Sequence, residues 1–151
     1  LKPLSALATP ESLSNTVADQ HNEAHHINVL LVDDNELVCE ALGNQIMGKA
    51  LSVDFAHNSE EALLKLDTNR YDIVLSDLVL PDIDGLALSK MITSQSRFNG
   101  QIIFGLSAQV SEAITQECLN AGMKSLYSKL VDPSELLLAL VDTVGALQKD
   151  F

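Results

Sequence analysis

Apolar and polar positions alternate along this chain in short blocks whose period changes from one block to the next. Residues 28–32 form a brief apolar run that ends in Asp33 and Asp34, which reads as a strand running into charge. From Asn35 the spacing lengthens. Leu37, Val38, Ala41, Leu42 and Ile46 recur at intervals of three and four, predicting a helix that ends near Gly48. Leu51, Val53 and Phe55 then alternate as a second strand. Asn58 or Ser59 caps the next helix, with Glu61 in its first turn and Ala62, Leu63 and Leu66 turned to the core. Residues 72–76 are nearly all apolar, as a strand covered on both faces should be. Pro81, Asp82 and Gly85 mark a loop, and a helix follows over about 85–94. A fourth strand over 101–106 leads to a helix over about 110–120, stopped by Ala121-Gly122. Residues 125–128 make a fifth strand. Asp132-Pro133-Ser134-Glu135 starts a last helix reaching about residue 147, with an acidic cap and Pro at its first position. Its Leu136, Leu137, Leu138, Leu140 and Val141 exceed one buried stripe. The surplus reads as contact with the rest of a larger protein, a dimer face, or a few exposed leucines.

Five strands and five helices in strict alternation, joined by short connections, describe a doubly wound α/β fold: an open parallel sheet with helices on both faces. Sites in such sheets lie at the carboxyl ends of the strands, near the switch in strand order. Asp33, Asp34, Asp77, Ser107 and Lys129 all fall at such ends. No Gly-x-Gly-x-x-Gly or Walker sequence follows the first strand, which argues against a dinucleotide-binding fold or a P-loop ATPase.

Composition narrows this further. The net charge of −12 opposes non-specific attraction to nucleic acid or an anionic membrane. No apolar run approaches the roughly 18 residues of a membrane span, so direct membrane contact is not expected of this piece. Residues 1–26 lack lasting periodicity and carry two of the four prolines and three of the four histidines. They read as a linker or tail, with a short helical turn near Glu11–Val17, leaving 27–151 as the domain. His21, His25 and His26 read as exposed polar residues that pick up metal only opportunistically. Cys39 and Cys118 lie far apart inside helical patterns and read as reduced, buried thiols. The absence of an initiator Met points to a processed or excised fragment, and the first residues lack a signal-peptide core; the expected location is cytoplasmic.

Three carboxylates brought together repel one another unless a proton or cation intervenes. Hard Mg²⁺ takes oxygen ligands and keeps several waters. Asp34 and Asp77 can bind it directly, Asp33 can hold a metal-bound water, and the Val79 carbonyl is a sensible third protein ligand. Mg²⁺ would neutralise charge as a phosphoryl group approaches Asp77. Lys129 is a point charge suited to one phosphate oxygen and Ser107 a hydroxyl donor to another.

The Asp33-Asp34 pair, the segment from Asp77 through Pro81 to Gly85, Ser107-Ala108 and Lys129 together resemble the active-site segments of the receiver domain of bacterial two-component signalling proteins. The resemblance covers about residues 27–148. It implies a flavodoxin-like sheet of strand order 2-1-3-4-5. It also implies that Asp77 takes phosphate from a phosphohistidine, that Asp33 and Asp34 serve Mg²⁺, that Ser107 is a switch hydroxyl and that Lys129 contacts the acyl phosphate. The partner is then a histidine kinase or histidine phosphotransfer domain. The receiver would catalyse its own phosphorylation and a slow dephosphorylation. The stretch from Cys118 to Lys129 is similar to receivers at the C-terminus of hybrid sensor kinases, which implies a kinase parent and a tether to the inner membrane through it.

Two positions depart from that pattern. Leu130 stands where the family usually has a Pro after the lysine, often joined by a cis bond. A cis bond before Leu costs about 2.5–4 kcal/mol, against roughly 0.5–1 before Pro, so the expectation is a trans bond with a rearranged loop, or strain. Leu126 stands where the family has its mobile aromatic; Tyr127, one residue on, should face the other side and pack on the sheet. Val79 cannot orient a hydrolytic water and Gln109 does so weakly, which predicts a phosphoryl lifetime that is not unusually short. The part of the first helix near Leu37 and Val38 reads either as the place where a histidine-bearing helix would dock or as ordinary solvated helix surface. The alternative readings are a degenerate receiver that binds partners without phosphorylation, and a metal-dependent phosphatase, for whose substrate-enclosing cap this chain has no room.

Overall fold

The computed structural model describes residues 26–46 and 51–149. The reading of residues 1–25, including His21, His25 and the turn near Glu11–Val17, and the stop at Gly48 lie outside the described residues. Five strands alternate with five helices: β1 (Ile27–Val32), α1 (Glu36–Ile46), β2 (Leu51–Ala56), α2 (Ser59–Thr68), β3 (Ile73–Asp77), α3 (Gly85–Thr93), β4 (Ile102–Ser107), α4 (Glu112–Asn120), β5 (Ser125–Ser128) and α5 (Pro133–Lys149). A 3₁₀ turn at Ser96–Phe98, not anticipated from the pattern, follows α3. The sheet is parallel throughout, in the order β2-β1-β3-β4-β5.

Alternation along each strand sends its side chains into two separate cores. Leu30, Val32, Val74, Ile103 and Leu126 pack under α2, α3 and α4, meeting Ala62, Leu66, Leu88, Ile92 and Cys118. Val29, Leu31, Ile73, Leu75, Phe104 and Leu106 pack on the other face, against Cys39 and Ile46 of α1 and Leu136, Leu140 and Val144 of α5. Both cysteines are free and buried, as expected. Leu138 and Val141 of α5 are exposed, so only part of that apolar helix is core.

The expected stripe of α1 differs from the one observed. Cys39, Gly43 and Ile46 are the buried positions, whereas Leu37 is 77% exposed and Ala41 is also outside. The cause is Gly43: a Cβ there would lie 2.7 Å from the Phe55 ring. The missing side chain lets α1 close onto β2 along the Cys39-Gly43-Ile46 line, and Leu37 lies off that line.

Helix starts follow their local chemistry. Asn35 accepts from the Leu37 and Val38 amides at the head of α1. Asn58, Asp84 and Ser111 cap α2, α3 and α4 through their side chains. Gly122 ends α4 at φ +95°, a left-handed backbone where an L side chain is strained.

Candidate functional site

β1 lies between β2 and β3, so the connections leave it in opposite directions and open a crevice at its carboxyl end. Asp33 is the first residue past β1. Its amide donates to Ala56 O at 2.9 Å, continuing the ladder with β2. Its Oδ1 accepts the Asn35 amide at 2.9 Å, and the side chain is fully buried. The Cys39 thiol donates to the Asp33 carbonyl; burial, and after it the Asp33 charge, pushes that thiol up to about 11. Asp34, one residue on, is exposed at the mouth.

Asp77 is the last residue of β3 and is 5% exposed. Its Oδ1 accepts the Val79 amide at 3.2 Å. The chain then folds back tightly. Gly85 donates to Leu78 O at 2.8 Å, and a Cβ on Gly85 would lie 2.2 Å from Asp77 O, so only glycine permits this return.

Lys129 arrives from the far side of β4. Its amide donates to Ser107 O at 2.9 Å. Its Nζ donates to Asp77 Oδ2 at 2.8 Å and lies 3.1 Å from Asp33 Oδ2. Burial alone would lower the Lys129 pKa; hydrogen bonding and charge from Asp77 and Asp33 outweigh it and raise the ammonium above its ordinary value. Ser107, half-buried at the end of β4, accepts the Gln109 amide at 3.2 Å through Oγ. The Lys129–Leu130 bond is trans, since the described residues hold no cis peptide.

Asp33, Asp34 and Asp77 each bring one carboxylate oxygen into a group whose members lie within 4.8 Å of one another. One ammonium faces three carboxylates. Asp33 Oδ2 is buried with no hydrogen bond, although the ammonium is close. An all-oxygen donor set and a net charge excess of two suit a hard divalent cation. The cluster can therefore coordinate a divalent metal.

The profile of the response regulator receiver domain matches residues 29–141. The chain belongs to this family. It is 40% identical over 111 residues to the aerobic respiration control sensor protein ArcB of Escherichia coli, covering 68% of this chain and 13% of that protein. It is 35% identical over 126 residues to hybrid signal transduction histidine kinase A of Dictyostelium discoideum, covering 81% of this chain and 6% of that one. This receiver thus spans a small part of those relatives' length and is related to the receivers of hybrid sensor kinases. Among solved structures, the receiver domain of the Francisella response regulator 1452 superposes with a TM-score of 0.74 at 25% identity, over 80% of this chain and 98% of that one. A CheX–CheY–BeF₃–Mg²⁺ complex from Borrelia burgdorferi matches at TM-score 0.69 and 27% identity, over 78% and 88% of the two chains.

All five strand-end residues of the receiver lie at one edge, but not in equal contact. Asp33, Asp77 and Lys129 touch through their side chains and Asp34 completes the acidic group, whereas the Ser107 side chain has no hydrogen bond to any of their side chains among the described residues. Leu126 is buried toward the α2–α4 face, while Tyr127 turns to the opposite core and meets Phe104 edge-on, centroids 5.4 Å apart. His26 bonds Ser52 Oγ at 2.7 Å. Among the described residues no helix is long and apolar enough to cross a membrane.

Sequence reasoning took Asp82 only as a loop marker. In the structure its carboxylate accepts from the Ser59 amide and hydroxyl and the Glu60 amide. The Ser59 hydroxyl is the main cause that holds Asp82 well below the usual carboxylate range. No local signal reveals this, because the partners lie 22 and 23 residues upstream.

Proposed function

We propose that Asp77 is the phosphoacceptor of a Mg²⁺-dependent phosphorelay receiver, taking its phosphoryl group from a phosphohistidine. The observation that carries this is the Lys129 ammonium seated on Asp77 Oδ2 beside Asp33, at the carboxyl edge where strand order switches. Asp34, Asp77 and the Val79 carbonyl would hold the metal, with Asp33 beside them to support it through water. Mg²⁺, which the Borrelia complex contains, supplies charge neutralisation at the incoming phosphoryl oxygens.

The residues themselves position and neutralise. An Asp77 carboxylate oxygen forms the new O–P bond while the N–P bond to the donor imidazole breaks and its electron pair stays on nitrogen. Such a transfer needs alignment and charge stabilisation more than a base. Lys129 shifts its hydrogen bond from Asp77 Oδ2 to a phosphoryl oxygen, and Ser107 donates to another. Water, or a second histidine, later removes the group.

The donor is a histidine kinase or a histidine phosphotransfer domain, and the relatives favour a hybrid sensor kinase as the parent. Residues 27–151 then act as the receiver and residues 1–26 as its connection to that parent. The receiver works in the cytoplasm, held at the inner membrane through the parent. A histidine-bearing helix docks beside Asp77, where Leu37, Val79 and Leu130 present exposed apolar surface.

A small phosphodonor added with Mg²⁺ to wild type and to Asp77→Asn tests the reading by intact mass. The gain of one phosphoryl group in wild type alone is expected, with decay over minutes or longer. No gain in either protein would overturn it in favour of a binding module that works without phosphate.

A further inference from the structure

We propose that Asp82 is a positioning residue for the phosphorylation site, clamping the β3–α3 loop to the head of α2 so that the Val79 backbone is held ready beside Asp77. This rests on the reading of Asp77 and Val79 given above. The first amides of a helix have no partner inside it. Here Ser59 and Glu60 are the first two residues of α2. Both amides donate to Asp82, Ser59 at 3.1 Å to each oxygen and Glu60 at 3.2 Å. The Ser59 hydroxyl adds a further bond, and Asp82 Oδ1 also accepts the Ile83 amide at 3.0 Å.

The helix does not require this loop to start. Asn58 accepts the Glu61 amide at 2.7 Å, and Glu61 accepts the His57 amide at 2.6 Å, so the turn entering α2 has a local cap of its own that leaves the Ser59 and Glu60 amides free for Asp82. The Asp82 bonds are additional and tertiary. They join two loops that both border the acidic edge.

The loop has its base fixed independently. Leu78 donates to Leu106 O, Gly85 donates to Leu78 O, and Val79 bridges Asp84. Leu80 is buried in the core below. Val79 itself has an exposed side chain, and its amide reaches Asp77 at only 3.2 Å. Apolar burial of Leu80 sets depth but little direction. The charge-assisted bonds of Asp82 supply direction, and partners that orient metal ligands govern affinity as the ligands do.

The test compares wild type, Asp82→Asn, Ser59→Ala and the double variant. Mg²⁺ binding is read by titration calorimetry, and exchange of the Val79 amide is read in metal-free protein. Ser59→Ala keeps every charge, so it separates positioning from simple electrostatics. Its Mg²⁺ affinity should fall about three- to tenfold, with Asp82→Asn about tenfold or more, and with the double variant no weaker than about twofold below Asp82→Asn, because both remove one unit. Val79 exchange should quicken in all three. Unchanged affinity and exchange in Ser59→Ala would overturn the proposal, as would lower thermal stability with unchanged Mg²⁺ affinity in the folded protein. A wild type that takes up no Mg²⁺ would overturn the phosphoacceptor reading instead, and Val79 exchange would then decide the clamp alone.

Discussion

At the ends of β1 and β3, Asp33 and Asp77 are buried, bonded to neighbouring backbone amides and bridged by one ammonium. At the end of β5 the surroundings are looser. Leu130 is 89% exposed, the Ser107 hydroxyl is bonded only within its own turn, and the aromatic of the strand points away from the site to Phe104. The two regions meet at Lys129. The difference shows which requirements each has. Acid, ammonium and metal chemistry need particular atoms at particular distances. Passing a signal through packing needs only that volume be filled, and here Leu126 fills it: a Cβ on Gly105 would lie 3.1 Å from Leu126 Cδ1 and 2.9 Å from Met123 Sδ.

The comparison breaks most readily at Leu126. Leu126→Ala should cost roughly 2–4 kcal/mol, the range for emptying a buried leucine site, measured by urea unfolding, while Mg²⁺ affinity at the acidic edge stays as in wild type. A parallel loss of Mg²⁺ affinity would mean the two regions are one unit.

Next in size is Lys129→Met. It leaves two buried carboxylates facing each other, a loss usually put at 3–5 kcal/mol. Lys129 is 23% exposed, so water recovers part of it and about 1–3 kcal/mol is expected in metal-free protein at neutral pH. Saturating Mg²⁺ should restore most of that. The pH dependence has a definite sign. Lys129 has a raised pKa in the fold. Its stabilisation is fully present below the unfolded value of about 10.4 and is lost as pH climbs through the higher folded value. Denaturant midpoints of wild type and Lys129→Met should therefore converge above that pH; a constant gap would contradict the pairing.

The smallest effect belongs to Leu130→Ala. Stability should stay within about 0.5 kcal/mol, as for an exposed site, and labelling by a small phosphodonor should be unchanged. Transfer from a phosphohistidine protein should slow, because only that donor covers the exposed leucine. A clear loss of stability would show that the lysine loop is tightly packed after all.

Much of this was legible beforehand for local reasons. The change from period two to period 3.6 marked the strands and helices, and caps such as Asn58 and the Ala121-Gly122 stop act within a few residues of the backbone they satisfy. Misreadings arose where a distant partner decided. The buried line of α1 follows Gly43 against Phe55 rather than the most apolar residues. The 3₁₀ turn at Ser96–Phe98 is tied into the core through Phe98, which joins the α2–α4 side. Asp82 looked like loop punctuation until Ser59 came beside it.

The amino-acid sequence by itself determined the alternation of elements, the side-chain types at each strand end and the family they resemble, because periodicity and residue chemistry are local properties. Strand order belonged to the tertiary structure. It set β1 beside β3, which brings Asp33 to Asp77, and let Lys129 reach past β4 to a carboxylate 52 residues away. It also decided what no neighbour in the chain encodes: that Asp33 would be fully buried beside the Lys129 ammonium, and that Asp82 would tie one loop of the site to another. Those are contacts between residues far apart in sequence, and they exist only once the sheet is assembled.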